Sequence, residues 1–414
     1  MQNHNPIVLK VSHYFRRYAN MHSMLKKIYY FTCYILSYGS RKHSLIDDVI
    51  PYFPIKMSSD YFFGYYHNSP WSYDDRFIAI NSLVDSETIQ INIIDKDKLI
   101  PVDKTTLWNC QQGPMLGWIP DEHTIHYNKL INGKHKAVTY NVNNKEFKYF
   151  DFPVQSIHPS GSSYFSINYN AISRVNKDYG YEQKNSLIPH DAIGIWKCYF
   201  GKKVPELFLS ENNLFEINVN FKKNQSNEIN HILYSSDGSQ FLFIYRYVVN
   251  NKKYSKLILS NSQSKDNLDL RVVNRDFISH MCWIDNQKIF YFGDAPSNKT
   301  GYYIYNIPKN DYKQVMIDNL VDGHPSLSAN KQWISLDTYP DKCCKSHLYL
   351  YNLKDDRVID IGNFFTNVLH QGYNRCDLHP RWSNRGSKLL IDTLQKDSRS
   401  SFVIDLDKVI NNEK

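Results

Sequence analysis

The chain has 414 residues, 15% of them aromatic, and a formal net charge of +8. This length allows a substantial core, and by itself it would also allow more than one domain. The basic residues are dispersed rather than clustered, which argues against nucleic acid as a partner. The positive charge suits an acidic oligo- or polysaccharide, and it suits equally well a lysine-rich sequence that has no anionic partner.

The seven cysteines argue against a disulfide-bonded secreted protein. Their number is odd, Cys343 and Cys344 are adjacent, and no pair of Cys-x-x-Cys motifs is present in the sequence. We therefore expect a reducing compartment, the cytoplasm.

The N-terminal region differs in composition from the rest of the chain. Between Val8 and Tyr38, lysines and arginines precede an apolar, tyrosine-rich run. The run is too short to span a bilayer, and no signal-peptide cleavage site follows it. These features predict a basic helix that either lies on the inner membrane surface or packs on the outside of the main domain. We assign residues 1–47 to this helical extension and residues 48–414 to the main domain.

A motif repeated seven times dominates the main domain. Its full form is His, three residues, Ser, two residues and Gly, and a short β-rich run follows each copy. The copies begin at Asn68, Met115, Val154, His231, His280, His324 and His379. Most neighbouring copies are roughly 40–50 residues apart, the length of a four-stranded propeller blade. The pattern predicts an all-β fold, a seven-bladed β-propeller with an N-terminal helical extension, in which the Ser-x-x-Gly segments form tight turns.

The longest interval between copies contains an insertion at residues 170–190. Long loops in regular folds often carry function. An arginine beside tyrosines can neutralise a carboxylate and supply a proton, which makes Arg174, Tyr179 and Tyr181 candidate catalytic residues. The alternative is a tyrosine-rich loop that only packs over the mouth of the propeller.

Four histidines occupy the first position of four consecutive copies of the motif. Because the innermost strand of each propeller blade lines the central channel, we expect His231, His280, His324 and His379 to converge. Neutral imidazoles bind Mn, Fe, Ni or Zn, so these residues are candidate ligands of a divalent metal, Mn or Zn. The competing interpretation is that each histidine caps backbone groups of its own turn.

Further polar residues near these motifs have no evident packing role. The candidate substrate-binding residues are His67, Gln111, Gln112, Arg375 and Tyr339.

Several of these residues lie in segments that resemble a known group of proteins. The segments are Phe62–Pro70, Trp108–Gly113, Arg174–Tyr181, Asp337–Asp341 and Asp377–Ser383. They resemble bacterial propeller proteins of polysaccharide metabolism, a group similar in fold to the TolB-type propellers, oligogalacturonate lyase and the ulvan lyases. The sequence departs from the group at position 67, which is His where the group has Asp.

The resemblance implies a chemistry as well as a fold. Such lyases act on uronic acids and need a positive group or metal at the C5 carboxylate, a base for the C5 proton and an acid for the leaving oxygen. On this chain the resemblance assigns the first role to Arg174 or the histidines. It assigns proton transfer to a histidine, with His379 as the candidate, and to Tyr179 or Tyr181.

Two functions of different classes stay open at this point. The first is a carbohydrate-active enzyme, a polysaccharide lyase that acts by β-elimination on a uronic-acid-containing glycan. The second is a non-catalytic propeller that binds a glycan or a partner protein during cytoplasmic synthesis of surface polysaccharide such as O-antigen or capsule, peripheral to the inner membrane.

Overall fold

The computed structural model describes residues 28–29, 31–36, 42–47, 49–52, 60–120, 123–181, 193–201, 204–216, 227–296, 299–315, 321–367, 370, 372–395 and 398–411. Most of the predicted N-terminal helix and residues 182–190 of the predicted insertion lie outside these ranges. Residues 28–29 and 31–36 are helical, and Tyr34 stacks on Phe365 with ring centroids 6.0 Å apart. Of the helices in the described ranges, none is both long and apolar enough to cross a membrane.

Seven antiparallel sheets form the blades of the propeller. Two short strands precede the first blade in the chain. These strands are β1 (Ser44–Leu45) and β2 (Ile50–Tyr52). Blade 1 contains β3 (Tyr61–Phe62), β4 (Phe77–Leu83), β5 (Ile89–Asp95) and β6 (Lys98–Thr105). Blade 2 contains β7 (Gly117–Trp118), β8 (Thr124–Ile131), β9 (Lys134–Asn141) and β10 (Phe147–Phe150). Blade 3 contains β11 (Ser156–Ile157), β12 (Ser163–Ser166), β13 (Gly194–Tyr199) and β14 (Glu206–Ser210).

The other four blades use the same meander. Blade 4 contains β15 (Asn227–Tyr234), β16 (Gln240–Val249), β17 (Lys252–Asn261) and β18 (Arg271–Val272). Blade 5 contains β19 (Ile278–Asp285), β20 (Lys288–Asp294), β21 (Thr300–Asn306) and β22 (Asp311–Val315). Blade 6 contains β23 (Pro325–Leu327), β24 (Trp333–Asp337), β25 (Lys345–Asn352) and β26 (Val358–Phe365). Blade 7 contains β27 (Arg381–Trp382), β28 (Lys388–Gln395) and β29 (Ser398–Asp405).

Short helical segments connect some of these strands. They are α1 (Tyr169–Val175) after β12, α2 (Glu211–Glu216) after β14, α3 (Asp407–Asn411) after β29, and a 3₁₀ turn at Gly372–Asn374. The start of the predicted insertion is therefore a helix, and the Asn168 side chain caps it by accepting the Ala171 N–H (3.2 Å).

The N-terminal strands complete the last two blades. Strand β2 pairs antiparallel with β29 and is the outer strand of blade 7, while β1 adds a fifth strand to blade 6 beside β26. Blade 7 is thus made from both ends of the described chain, which closes the ring. The predicted seven-bladed β-propeller is confirmed.

The serine of the repeated motif explains why the motif recurs. In four blades its hydroxyl oxygen accepts the backbone N–H of the residue five positions later, where the second strand begins. These serines are Ser72 (2.9 Å), Ser235 (3.0 Å), Ser328 (3.0 Å) and Ser383 (3.3 Å). The bond closes the turn between the first and second strands, as the sequence predicted.

The core lies between neighbouring blades. For example, Leu242 and Leu257 of blade 4 and Trp283 and Ile289 of blade 5 belong to one buried cluster. Because each blade buries apolar side chains against its neighbours, the first strands of all blades are held at fixed positions around the channel. Side chains at the same position of the motif can therefore meet at the axis.

Candidate functional site

The four repeat histidines come together where the first strands of blades 4–7 begin. His231, His280, His324 and His379, called the histidine cluster below, are 1–4% exposed. Their ring centroids are 6.1, 4.1 and 4.1 Å apart from one blade to the next.

Two residues of the cluster have an unusual backbone conformation. His231 (φ +52°) and His379 (φ +45°) adopt the left-handed conformation, which non-glycine residues rarely use. His231 also lies in a register shift between β15 and β16. Bulges of this kind redirect a side chain, and they occur often beside functional sites.

Each ring of the cluster is held through its Nδ1 atom. The acceptors are Tyr65 Oη for His231 (3.1 Å), Asp322 Oδ1 for His280 (2.9 Å), Asp337 Oδ1 for His324 (2.9 Å) and the Gly64 carbonyl for His379 (2.7 Å). Such partners fix the tautomer with the proton on Nδ1 and orient Nε2, which is how proteins prepare imidazoles to bind a metal.

The proton positions around His231 follow from a chain of hydrogen bonds. His67 Nε2 must donate to the Met281 carbonyl (2.9 Å), because a carbonyl only accepts. His67 Nδ1 then accepts from the Tyr65 hydroxyl (3.0 Å), and that hydroxyl accepts in turn from His231 Nδ1. The Nε2 atom of His231 keeps its lone pair, and it is buried without a hydrogen-bond partner among the described residues.

Tyr66 fills the space between the four histidines. Its ring centroid lies 5.0–6.2 Å from each ring of the cluster, and its hydroxyl donates to the Met281 carbonyl (3.4 Å). The neighbouring Gly64 approaches Gly113 so closely that a Cβ at Gly64 would lie 2.7 Å from the Gly113 nitrogen. This contact explains why position 64 is a glycine, and the Gly64 carbonyl is the acceptor of His379.

Burial controls the charge of the cluster. It lowers the pKa of His280, and it lowers the pKa values of His231 and His379 well below the usual value, so these three rings are neutral at pH 7. At His324 burial acts in the same direction, but the adjacent Asp337 carboxylate outweighs it and raises the pKa. His324 is therefore the ring of the cluster that takes up a proton most readily, and Asp337 also accepts the backbone N–H groups of His324 (2.6 Å) and His379 (2.9 Å).

One part of the cluster could hold a metal ion. His324, Asp377 and His379 each place one potential ligand atom within 4.8 Å of the others. Oδ2 of Asp377 accepts from Arg375 Nε (2.7 Å), while Oδ1 is buried and lacks a partner among the described residues. Two imidazoles and an unsatisfied buried carboxylate oxygen match the ligand preferences of Mn²⁺ and Zn²⁺. The sequence had suggested four histidines, without Asp377.

Five other predicted residues lie around the cluster. The Tyr179 ring contacts that of His231 edge-on, with centroids 4.7 Å apart, and the Tyr339 ring lies 5.9 Å from that of His324. Arg375 lies 5.4 Å from the Tyr339 ring and pairs with both Asp377 and Asp178, while Gln111 donates to the Arg375 carbonyl (3.0 Å). His67 is the fifth imidazole, reached through Tyr65.

Three predicted site residues have other surroundings. Arg174 is exposed on the last turn of α1, whereas Arg375 contacts Tyr339 and Asp377. Tyr181 belongs to the core rather than to the site: it is fully buried, stacks on Tyr169 (4.3 Å) and accepts from Asn128 (3.1 Å). Gln112 is buried, and neither atom of its side-chain amide has a hydrogen-bond partner in the described ranges.

The sequence analysis did not identify the groups that orient the histidines. These are Tyr65, Tyr66, Asp322 and Asp337, together with Asp377 as a potential ligand. A usable signal existed for one of them. Asp337 on β24 and Asp392 on β28 stand near the ends of the second strands of two consecutive blades, and each accepts backbone N–H groups from the start of the next blade.

Comparisons with known proteins place this fold among propellers. The sequence matches no protein-family model and no curated protein. An oligogalacturonate lyase from Vibrio parahaemolyticus is similar in structure, with TM-score 0.61, 11% identity and coverage of 88% of this chain and 98% of the lyase. An oligogalacturonate lyase in complex with manganese gives TM-score 0.63, 12% identity and coverage of 89% and 98%. TolB from Acinetobacter baumannii gives TM-score 0.43, 13% identity and coverage of 81% and 82%. The chain is thus similar in fold to a group of β-propellers that includes oligogalacturonate lyases.

Proposed function

We propose that the protein binds a divalent cation at His324, Asp377 and His379 and acts on a uronic-acid-containing glycan by β-elimination. The observation that carries the proposal is the set of buried imidazoles whose Nδ1 atoms are all engaged, beside a carboxylate oxygen without a partner. Mn²⁺ is the first candidate, because one structural neighbour is an oligogalacturonate lyase in complex with manganese, and Zn²⁺ is the second. At 12% identity that neighbour supports the fold, and the chemistry has to rest on the site.

Different residues of this chain carry out the separate steps of the proposed elimination. His324, Asp377 and His379 would hold the divalent cation, which when bound would supply positive charge to the substrate carboxylate and so acidify the adjacent C5 proton. Arg375 supports the same carboxylate by charge. His231 is neutral and accepts the C5 proton at Nε2, while its Nδ1–H bond to Tyr65 keeps the ring in place.

Tyr179 supplies the proton for the leaving oxygen. Burial raises the pKa of its hydroxyl, so the group is protonated at neutral pH. Its ring touches that of His231, which brings the donor and the acceptor of protons to one side of the cluster. In this scheme Tyr181 has no catalytic role.

A second function has its own support. Tyr66 fills the centre of the cluster, and Arg375 is already paired with two carboxylates, so a metal here could be structural. The protein would then be a non-catalytic propeller that binds an acidic glycan or a partner protein in polysaccharide synthesis.

An elimination assay separates the two functions. The full-length protein, loaded with Mn²⁺ or Zn²⁺, is incubated with oligomers of galacturonate, glucuronate or mannuronate, and the ultraviolet absorbance of the unsaturated product is followed. We expect product from at least one oligomer, and His231→Gln should reduce turnover about 100-fold or more while retaining the metal. The matched control is His158→Gln, which changes a histidine of the blade 3 motif outside the cluster.

The outcome that removes the lyase is a metal-loaded protein that forms no unsaturated product from any of the three oligomers. Binding of a uronate oligomer without turnover, measured by calorimetry, would then favour the binding propeller.

A further inference from the structure

A cavity lies beyond the histidine cluster, further along the inner strands of the blades. The residues of β15 that line it, Ile232–Tyr234, directly follow His231, and His67 contributes to its wall. Blades 2, 3 and 4 supply most of the lining, and its volume is about 270 Å³. The segment Tyr65–His67 lies between the histidine cluster and this cavity, because Tyr65 and Tyr66 contact the cluster whereas His67 lines the cavity.

A glycine lets a side chain of the second strand reach this cavity. Gly117 on β7 pairs directly with His126 on β8. A Cβ at Gly117 would lie 2.6 Å from His126 Nε2, so any larger residue there would displace the imidazole. The His126 ring thus occupies the space that a side chain at position 117 would fill.

The His126 imidazole has a buried nitrogen that lacks a partner in the part of the chain that the structure describes. The residue is 2% exposed, and its Nδ1 is buried with no hydrogen bond to any described residue. Buried polar groups are nearly always paired, so the missing partner is expected inside the cavity.

The walls of the cavity carry no formal charge. No Asp, Glu, Lys or Arg is among the lining residues, and burial lowers the pKa values of His67 and His126 to about 3, so both rings are neutral. Apolar surface comes from Trp118, Pro159 and Ile232, and polar atoms come from serines and an asparagine. Without a counter-charge a buried ion is costly, so the cavity disfavours a charged ligand.

We propose that this cavity binds one uncharged sugar ring, with a hydroxyl group on His126 and a carbon face on Trp118. The volume is close to the lower limit for ligand pockets, roughly 300 Å³, which suits a single ring rather than a chain. A sugar ring combines hydroxyl groups with apolar C–H faces, and the walls present matching polar and apolar groups. The site does not depend on the proposed elimination at the histidine cluster.

The test uses the full-length protein and saturation-transfer NMR with three uncharged probes, the methyl glycosides of glucose, galactose and mannose. At least one glycoside should bind, and glucuronate should not compete with it. Gly117→Ala, which displaces the imidazole, and His126→Asn, which removes it, should each weaken binding about tenfold or more. Gly301→Ala is the matched control, since a Cβ there meets only the end of the Gln314 side chain at 3.4 Å.

Two results would overturn the site. One is the absence of transfer to all three glycosides, which would mean that only water partners His126. The other is binding that His126→Asn leaves unchanged, and this variant keeps the test valid if Gly117→Ala does not fold. Metal content and elimination activity are measured on the same samples. They report on the histidine cluster alone, so failure of either proposal can be told from failure of the other.

Discussion

Blades 4–7 and blades 1–3 share one framework but use the first position of the motif differently. In blades 4–7 this position is a histidine of the cluster. In blade 2 it is Met115 and in blade 3 it is Val154, and both are fully buried apolar residues. Blades 4–7 therefore direct imidazoles to the axis, while blades 2 and 3 use the same position for packing and blade 1 has Asn68, which donates to the Leu116 carbonyl (3.0 Å).

The groups that anchor this position differ in the same way. In blade 2, the Asn128 amide bonds to both the N–H (2.7 Å) and the carbonyl (2.9 Å) of Val154 in the next blade. In blade 6, Asp337 accepts the His379 N–H in the next blade and also holds the His324 ring. An amide suffices where only backbone has to be fixed, whereas a carboxylate is used where an imidazole has to be oriented as well.

The largest expected effect comes from alanine at the first position in each half. His379→Ala removes a proposed ligand, so the affinity for Mn²⁺ should fall about 100-fold or more. Met115→Ala should leave that affinity unchanged but lower the free energy of unfolding by about 2–5 kcal/mol, because it leaves a cavity in the core. Metal titration calorimetry and urea unfolding measure the two quantities. If both variants lose metal equally, the two halves do not differ as described.

A smaller effect is expected from exchanging the anchoring groups. Asp337→Asn keeps the size of the side chain but removes the charge that orients His324, and metal affinity should fall about 10–100-fold. Asn128→Asp should leave metal binding intact and destabilise the fold, since a carboxylate oxygen would face the Val154 carbonyl. If Asp337→Asn leaves the metal affinity unchanged, the Asp337 carboxylate only fixes the backbone and does not prepare His324 for a metal.

The smallest expected effect concerns a buried imidazole outside the site. Burial lowers the pKa of His135 in blade 2 to about 4. As the pH falls below about 6.5, the His135 imidazole binds a proton in the unfolded chain but stays neutral in the folded protein. The free energy of unfolding therefore decreases until the pH reaches about 4. By pH 5 the loss is about 2 kcal/mol. Urea unfolding measures the free energy of unfolding of the wild type and of His135→Gln. The difference between the two should fall by that amount between about pH 7.5 and 5, and a difference that stays constant over this range would contradict the prediction.

The sequence predicted the ring better than the site. The seven motifs gave the blade number because each motif encodes a local turn, closed by a serine such as Ser235. The convergence of the four histidines followed from their common register. The anchors could not be found in this way, since Tyr65 and Asp322 reach the histidines from other blades or loops. Tyr181 was predicted to be catalytic and lies in a core cluster, because a tyrosine in a loop has the same sequence signal whether it packs or reacts.

Ring closure also determines when the site comes into existence. Tyr52 pairs with Val403, so blade 7 stays incomplete until nearly all of the described chain has been synthesised. The His379 ring takes its acceptor from Gly64 in blade 1, across the same junction. Contacts between such distant segments form late in folding because of the entropy of closing a long loop. A nascent or truncated chain therefore lacks the complete histidine cluster, and binding of the proposed metal would report whether the ring has closed.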